Sequence, residues 1–187
     1  MLKLKSPFKL TDYVYPICLP PTGFNADNGV NDSIQSKSTT CIISGWGVTE
    51  GKGSNAQLQH ATVPVSDCTL LPGCIFLNFF KIMTNERCNE LFGNDYLPDR
   101  TNMCAGYTNG GIDTCQGDSG GPLTCNVDNN WTLVGIVSWG IGCADAKSPG
   151  AYVRVSRFNQ WIKNVQQKCR NTQSKNCKVL AFERIVR

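Results

Sequence analysis

Asp113-Thr114-Cys115-Gln116-Gly117-Asp118-Ser119-Gly120-Gly121-Pro122 is the stretch on which the reading of this chain turns. No other serine has glycines packed so closely on both sides. Glycine lets the backbone bend where a side chain would clash, so main-chain N–H groups can be aimed at a ligand. A serine hydroxyl held in such a turn is a candidate nucleophile. The N–H groups of Gly117 and Ser119 are candidates for an oxyanion hole.

Gly117 to Gly121 formally fits G-x-S-x-G, the nucleophile elbow of α/β-hydrolases. That architecture needs a helix directly after the serine, then an acid and a histidine further along. Here Gly-Gly-Pro follows, a poor helix start, and the only histidine, His60, lies upstream. The elbow is rejected.

Four other motifs flank the stretch in order: Ser44-Gly-Trp-Gly47, Asn102-Met-Cys-Ala-Gly106, Ser138-Trp-Gly140 and Pro149-Gly-Ala-Tyr152. Together with Asp113–Pro122 they resemble the trypsin-like serine endopeptidases of the chymotrypsin fold. The resemblance covers roughly residues 2 to 165. Gly110–Cys115 and Ser156–Phe158 are similar to the enteropeptidase, transmembrane serine protease and acrosin-like branches of that family.

Eleven cysteines in 187 residues point to an oxidising compartment and a disulfide framework. Zinc is disfavoured by the absence of a C-x-x-C pair and by the single histidine. No cofactor or metal is called for. The sequons Asn31-Asp-Ser and Asn130-Trp-Thr agree with export and are candidate glycosylation sites. The net charge of +4 is local: residues 168–187 hold six Lys/Arg against Glu183, which leaves the remainder at −1. A solvated tail, with no nucleic-acid partner, is the reading. No signal peptide is visible after Met1-Leu-Lys-Leu-Lys5. The most apolar run, Ile75 to Met83, is interrupted by Asn78 and Lys81 and is far short of the roughly 20 residues a membrane span needs. Export is therefore expected to depend on an upstream segment, and the expected location is secreted or on the extracellular side of a membrane.

Six runs rich in β-branched and aromatic residues read as strands: Thr40–Trp46, Leu58–Val65, Asn102–Tyr107, Pro122–Asn126, Trp131–Trp139 and Gly150–Val155. The expected fold is all-β, with the six strands antiparallel in a closed barrel. The resemblance makes it the Greek-key C-terminal barrel of the two-barrel peptidase fold, followed by a C-terminal helix. Ser156 is expected to cap that helix, with Phe158, Trp161, Ile162 and Val165 on one face. A shorter helix is expected to start at Thr84 and stop at Gly93. Residues 1–39 are assigned to the end of a first barrel and the inter-barrel linker, 40–167 to the second barrel and its helix, and 168–187 to a flexible basic tail. Residues 68–83 stand out as an insertion, either a membrane- or partner-facing loop or a buried one.

The resemblance implies three disulfides, Cys41–Cys125, Cys88–Cys104 and Cys115–Cys143. It leaves Cys18 for a bridge to an absent upstream segment. Cys68, Cys74, Cys169 and Cys177 allow three pairings, of which Cys68–Cys74 with Cys169–Cys177 is the local choice.

The resemblance also implies roles. Ser119 is the nucleophile, with Gly117 and Ser119 N–H groups for the oxyanion. Asp113 is the base of a specificity pocket walled by Ser138, Trp139, Gly140 and Gly150. A carboxylate there implies cleavage after Arg or Lys, because opposite charges couple strongly where water is excluded. Asp118 is the carboxylate that pairs with an amine released on zymogen activation. The catalytic histidine and aspartate have no match: His60 stands at a strand position, and the aspartate falls before Leu2. The implied partners are protein or peptide substrates and protease inhibitors, and these residues alone are expected to be inactive. The alternative is a pseudoprotease of the same fold, a secreted binding module. A disulfide-rich structural module of another fold does not account for five ordered motifs.

Overall fold

The computed structural model describes residues 4, 6–21, 24, 39–49, 53–54, 57–65, 80–93 and 101–171. Residues 18–157 make one compact unit, and residues 1–17 with 158–187 make another.

In the larger unit the strands are β1 (Thr39–Gly45), β2 (Val48–Thr49), β3 (Gly53–Ser54), β4 (Gln59–Val65), β5 (Phe80–Met83), β6 (Asn102–Tyr107), β7 (Pro122–Val127), β8 (Asn130–Trp139) and β9 (Gly150–Arg154). The described strands close a barrel in the order β1-β4-β5-β6-β9-β8-β7, with β7 returning to β1, while β2 and β3 form a separate hairpin. This is the expected barrel with one addition. Six of its strands are those read from the sequence, and β5 comes out of the stretch read as an insertion. β5 pairs antiparallel with β6 over Phe80–Met83 and meets β4 through one parallel bridge, Val65 to Phe80. The rest of the insertion lies outside the described residues, as do Asn31, Cys68, Cys74, Cys177 and the side chain of Cys169.

Side-chain alternation explains the core. In β7, Leu123, Cys125 and Val127 are buried while their neighbours are partly exposed, as a period of two requires. They join Ile43, Val63, Ile82, Met103, Val134, Val137 and Tyr152 in one cluster. Each large apolar side chain in it adds about 1.5–3 kcal/mol of burial. A two-residue turn joins β7 to β8, with φ of 48° at Asp128 and 62° at Asn129. Asp and Asn tolerate this left-handed backbone better than most residues.

Helix α1 (Asn85–Phe92) has the limits the sequence announces. The Thr84 hydroxyl accepts the Arg87 N–H at 3.2 Å, and the Gly93 N–H, at φ 80°, donates to Asn89 O. Phe92 and Cys88 are buried with Met83 and Cys104 in a second cluster. Buried Arg154 ties α1 to the barrel: its Nη2 donates to Asn85 Oδ1 at 3.0 Å and to Asn102 O at 2.8 Å. The segment before the barrel runs beside β8, where Cys18 N–H donates to Trp131 O and Cys18 O accepts from Leu133 N–H.

Helix α2 (Asn159–Asn171) differs from expectation at its start. A 3-10 turn over Val155–Phe158 precedes it. Ser156 therefore sits inside that turn, and its buried Oγ has no partner among the described residues. The hydroxyl is too far upstream to reach the free N–H groups of a helix that begins at Asn159. Phe158, Ile162 and Val165 are half-buried, but Trp161 is 50% exposed, so it stands off the face assigned to it.

Candidate active site

Two consecutive turns build the loop around Ser119. Asp118 N–H donates to Cys115 O at 3.0 Å, and Gly121 N–H donates to Asp118 O at 2.8 Å. The third residue of each turn is a glycine with positive φ, 96° at Gly117 and 84° at Gly120. That backbone belongs to turns in which only glycine is unstrained at the third place. The three-residue spacing of Gly117 and Gly120 therefore writes this double turn into the sequence. Ser119 falls between them and is exposed. Among the described residues neither the Gly117 N–H nor the Ser119 N–H makes a hydrogen bond. The loop is clamped on both sides: Gly120 N–H donates to Val137 O, Val137 N–H to Gly121 O, and Val48 N–H to Gln116 O.

Asp118 faces the other way. Its Oδ1 accepts the Gly47 N–H at 2.8 Å and its Oδ2 the Cys115 N–H at 2.9 Å. A Cβ on Gly47 would lie 2.5 Å from the carboxylate. The Ser44–Gly47 motif thus owes its glycines to the close approach of Asp118. Sequence reasoning singled out that motif without seeing this use for it.

Ser119 lines a cavity of about 260 Å³ together with Thr114, Gln116, Ser138, Trp139, Gly140, Gly142 and Gly150 and the half-cystines Cys115 and Cys143. The structure therefore brings the expected nucleophile and all four expected wall residues together. Trp139 is braced by Phe92 of α1, with ring centroids 5.0 Å apart. The register of β8 against β9 shifts between Val137 and Trp139. Such an irregularity re-aims side chains at the rim of a barrel.

Asp113, expected at the base of this cavity, is not among its lining residues but lies against two of them, Thr114 and Gly150. Its Oδ1 is 2.9 Å from where a Cβ on Gly150 would stand, so glycine at 150 makes room for it. Oδ1 accepts the Thr114 N–H at 2.8 Å and Oδ2 the Ala144 N–H at 3.2 Å. Burial raises its pKa above the ordinary carboxylate value. The two N–H bonds oppose that rise, while the charges of Asp118 and Asp145 add to it. Asp113 lines a second cavity of about 230 Å³, shared with Asp118, His60, Gly45 and Gly47. His60, exposed on β4, is thus on the wall of that second cavity and not of the one holding Ser119.

Tyr152 is a neighbour that sequence reasoning placed only within a motif. It is fully buried, and its hydroxyl is 3.3 Å from Thr114 Oγ1. Burial drives its pKa far up, the Thr114 bond opposing and the charges of Asp113 and Asp118 adding. It therefore stays a neutral donor and acceptor beside the Asp113 carboxylate.

The three implied disulfides are present: Cys41–Cys125, Cys88–Cys104 and Cys115–Cys143. The last joins the nucleophile loop to the opposite wall of the cavity, with 5.3 Å between Cα atoms. Cys18 is free and exposed. No helix among the described residues is long and apolar enough to cross a membrane.

The trypsin family model matches residues 1–70 and 78–162. The chain belongs to the trypsin family of serine proteases. The interruption in the match, residues 71–77, falls inside the stretch read as an insertion.

Proposed function

We propose that this chain carries the nucleophile and the specificity pocket of a serine endopeptidase that cleaves after Arg or Lys. The observation that carries the reading is the shared cavity. Ser119 lines it with Ser138, Trp139, Gly140 and Gly150, and Asp113 is adjacent to two of its lining residues, accepting the Thr114 N–H and lying against Gly150. In this mechanism Ser119 Oγ attacks the carbonyl carbon of the scissile peptide. The Gly117 and Ser119 N–H groups receive the negative charge that forms on the carbonyl oxygen. The amine leaves, an acyl-enzyme remains, and water releases it. Asp113 holds the cationic side chain of the residue before the cut.

The hydroxyl proton must go to a base. Within these 187 residues the one histidine, His60, borders the other cavity. Among the described residues no histidine lines the cavity of Ser119, and loss of a triad base costs on the order of a million-fold in turnover. Asp118, with one N–H on each oxygen and an open cavity beside it, is the carboxylate that receives an amine on activation. The same placement of His60 supports a second reading, a pseudoprotease that binds protein or inhibitor partners without cutting. An oxidising compartment suits the three disulfides, and either form is read as secreted or on the extracellular side of a membrane.

The pocket is tested by isothermal titration of the 187-residue chain with arginine amide and with its uncharged isostere citrulline amide. Selective binding of the cation is expected, and equal affinity for both refutes the assignment. A fluorophosphonate probe is expected to leave Ser119 unlabelled. Labelling that disappears in Ser119→Ala would overturn the absence of a base.

A further inference from the structure

We propose that Asn130, at the tip of the β7–β8 hairpin, carries an N-linked oligosaccharide attached before β8 pairs with β7. The inference rests on the exported compartment assigned above. Its ground is the conflict between what the sequon Asn130-Trp131-Thr132 requires and how the folded hairpin uses those residues. Transfer needs the asparagine amide together with the hydroxyl two residues on. In the folded barrel the Asn130 Nδ2 donates to Asp128 O at 2.9 Å. The Thr132 hydroxyl turns away and donates to Asn130 O at 3.2 Å. Thr132 is only 3% exposed, while Asn130 is exposed. The acceptor thus faces solvent, but its partner hydroxyl is sealed inside the barrel, with Cys18 laid alongside it.

The reaction itself is simple to balance. Asn130 Nδ2 attacks the anomeric carbon of a lipid-diphosphate-linked oligosaccharide. A C–N bond forms, the C–O bond to the diphosphate breaks, Nδ2 gives up one proton, and the lipid diphosphate leaves. A transferase can present that donor only to an extended segment in which amide and hydroxyl are both accessible. Folded domains open globally in about one molecule in a thousand or fewer. Transfer after folding is therefore slow by at least that factor.

The position also keeps the site free. Val127 and Pro122 bound β7, so the hairpin tip is about 17 Å along the strand from the loop of Ser119. Along β8, Asn130 is about 25 Å from Ser138. A glycan at this tip leaves the substrate cavity open.

The test is translation of the full chain behind a secretory leader into microsomes, together with a control glycoprotein, followed by amidase release in heavy-oxygen water and peptide mass spectrometry. The Asn130 peptide is expected to gain the Asp heavy-oxygen mark. Asn130→Gln and Thr132→Ala should abolish it, and Thr132→Ser should keep it. A reductant that delays closure of Cys41–Cys125 should raise occupancy. Purified oxidised chain offered to the same membranes should accept about a thousandfold less than reduced, unfolded chain. An unmarked Asn130 peptide beside an occupied control sinks the proposal. Equal transfer to folded chain sinks the timing. Neither result bears on arginine amide binding, so failure here is distinct from failure of the pocket.

Discussion

Replacing Asp113 by Asn isolates what the carboxylate behind the cavity does. The change is nearly isosteric. Asn keeps one oxygen for the Thr114 N–H at 2.8 Å and sets an amide NH₂ against the Ala144 N–H at 3.2 Å. One of two hydrogen bonds is lost, about 0.5–1.5 kcal/mol. A half-buried charge is removed at the same time, and burial is the leading cause of the raised pKa, so the two effects offset each other near neutral pH. Binding has no such compensation. Removing one partner of a desolvated charge pair costs about 2–5 kcal/mol. Two backbone donors already share the charge of Asp113, which places the loss in the lower half, about 2–3.5 kcal/mol. At about 1.4 kcal/mol per decade that is about 30- to 300-fold in Kd for arginine amide or an aryl amidine. The pH dependence has a defined sign. Because the folded pKa lies above the ordinary value, the native chain binds more protons than the unfolded chain between the two values. Stability therefore falls as pH rises through that window and is level above it. The Asp113→Asn substitution should abolish this slope. Cation affinity in the parent chain should fall as pH drops through the raised pKa. Titration calorimetry and thermal melts across the acid-to-neutral range read all of this. An Asp113→Asn chain that binds the amidine as tightly as the parent at neutral pH, or that melts far below it, refutes the reasoning.

Gly47→Ala should displace Asp118, since its Cβ would press 2.5 Å from the carboxylate while the N–H of the same residue holds Oδ1. Overpacking of this kind costs about 1–3 kcal/mol in a denaturant melt. Leu123→Ala empties a fully buried site in β7 and should cost about 2–5 kcal/mol by the same measurement. Replacing Cys115 and Cys143 together by Ser opens a bridge with a sequence separation of 28 residues, which the chain-entropy account values at about 3–4 kcal/mol. Amidine affinity should fall with it, because loop and wall are no longer tied. An unchanged affinity would show that the bridge does not preorganise the pocket.

Local chemistry carried much of this molecule. The three-residue spacing of Gly117 and Gly120 dictates the double turn that exposes Ser119, because left-handed backbone at the third place of a turn is cheap only for glycine. Thr84 and Gly93 set the ends of α1 for equally local reasons. Alternation along β7 accounts for which of its side chains enter the core, Leu123, Cys125 and Val127. Resemblance, not local chemistry, supplied the three cysteine pairs. The strand β5 was missed because an apolar run inside an apparent insertion has no periodicity to separate strand from loop. Ser156 was misassigned as a cap because a single 3-10 turn over Val155–Phe158 precedes the helix and puts its start at Asn159.

What no window of sequence contains is the meeting of distant backbones. Asp118 is held by Gly47, 71 residues away, and Tyr152 reaches Thr114 across 38. Asp113 settles behind Gly150 rather than on the cavity wall with Ser119. Each of these depends on strand register and barrel closure, where a shift of one residue would turn every side chain to the other face. Residue types and spacings announce the chemistry a chain can perform. Only the closed barrel sets the distances at which those groups meet.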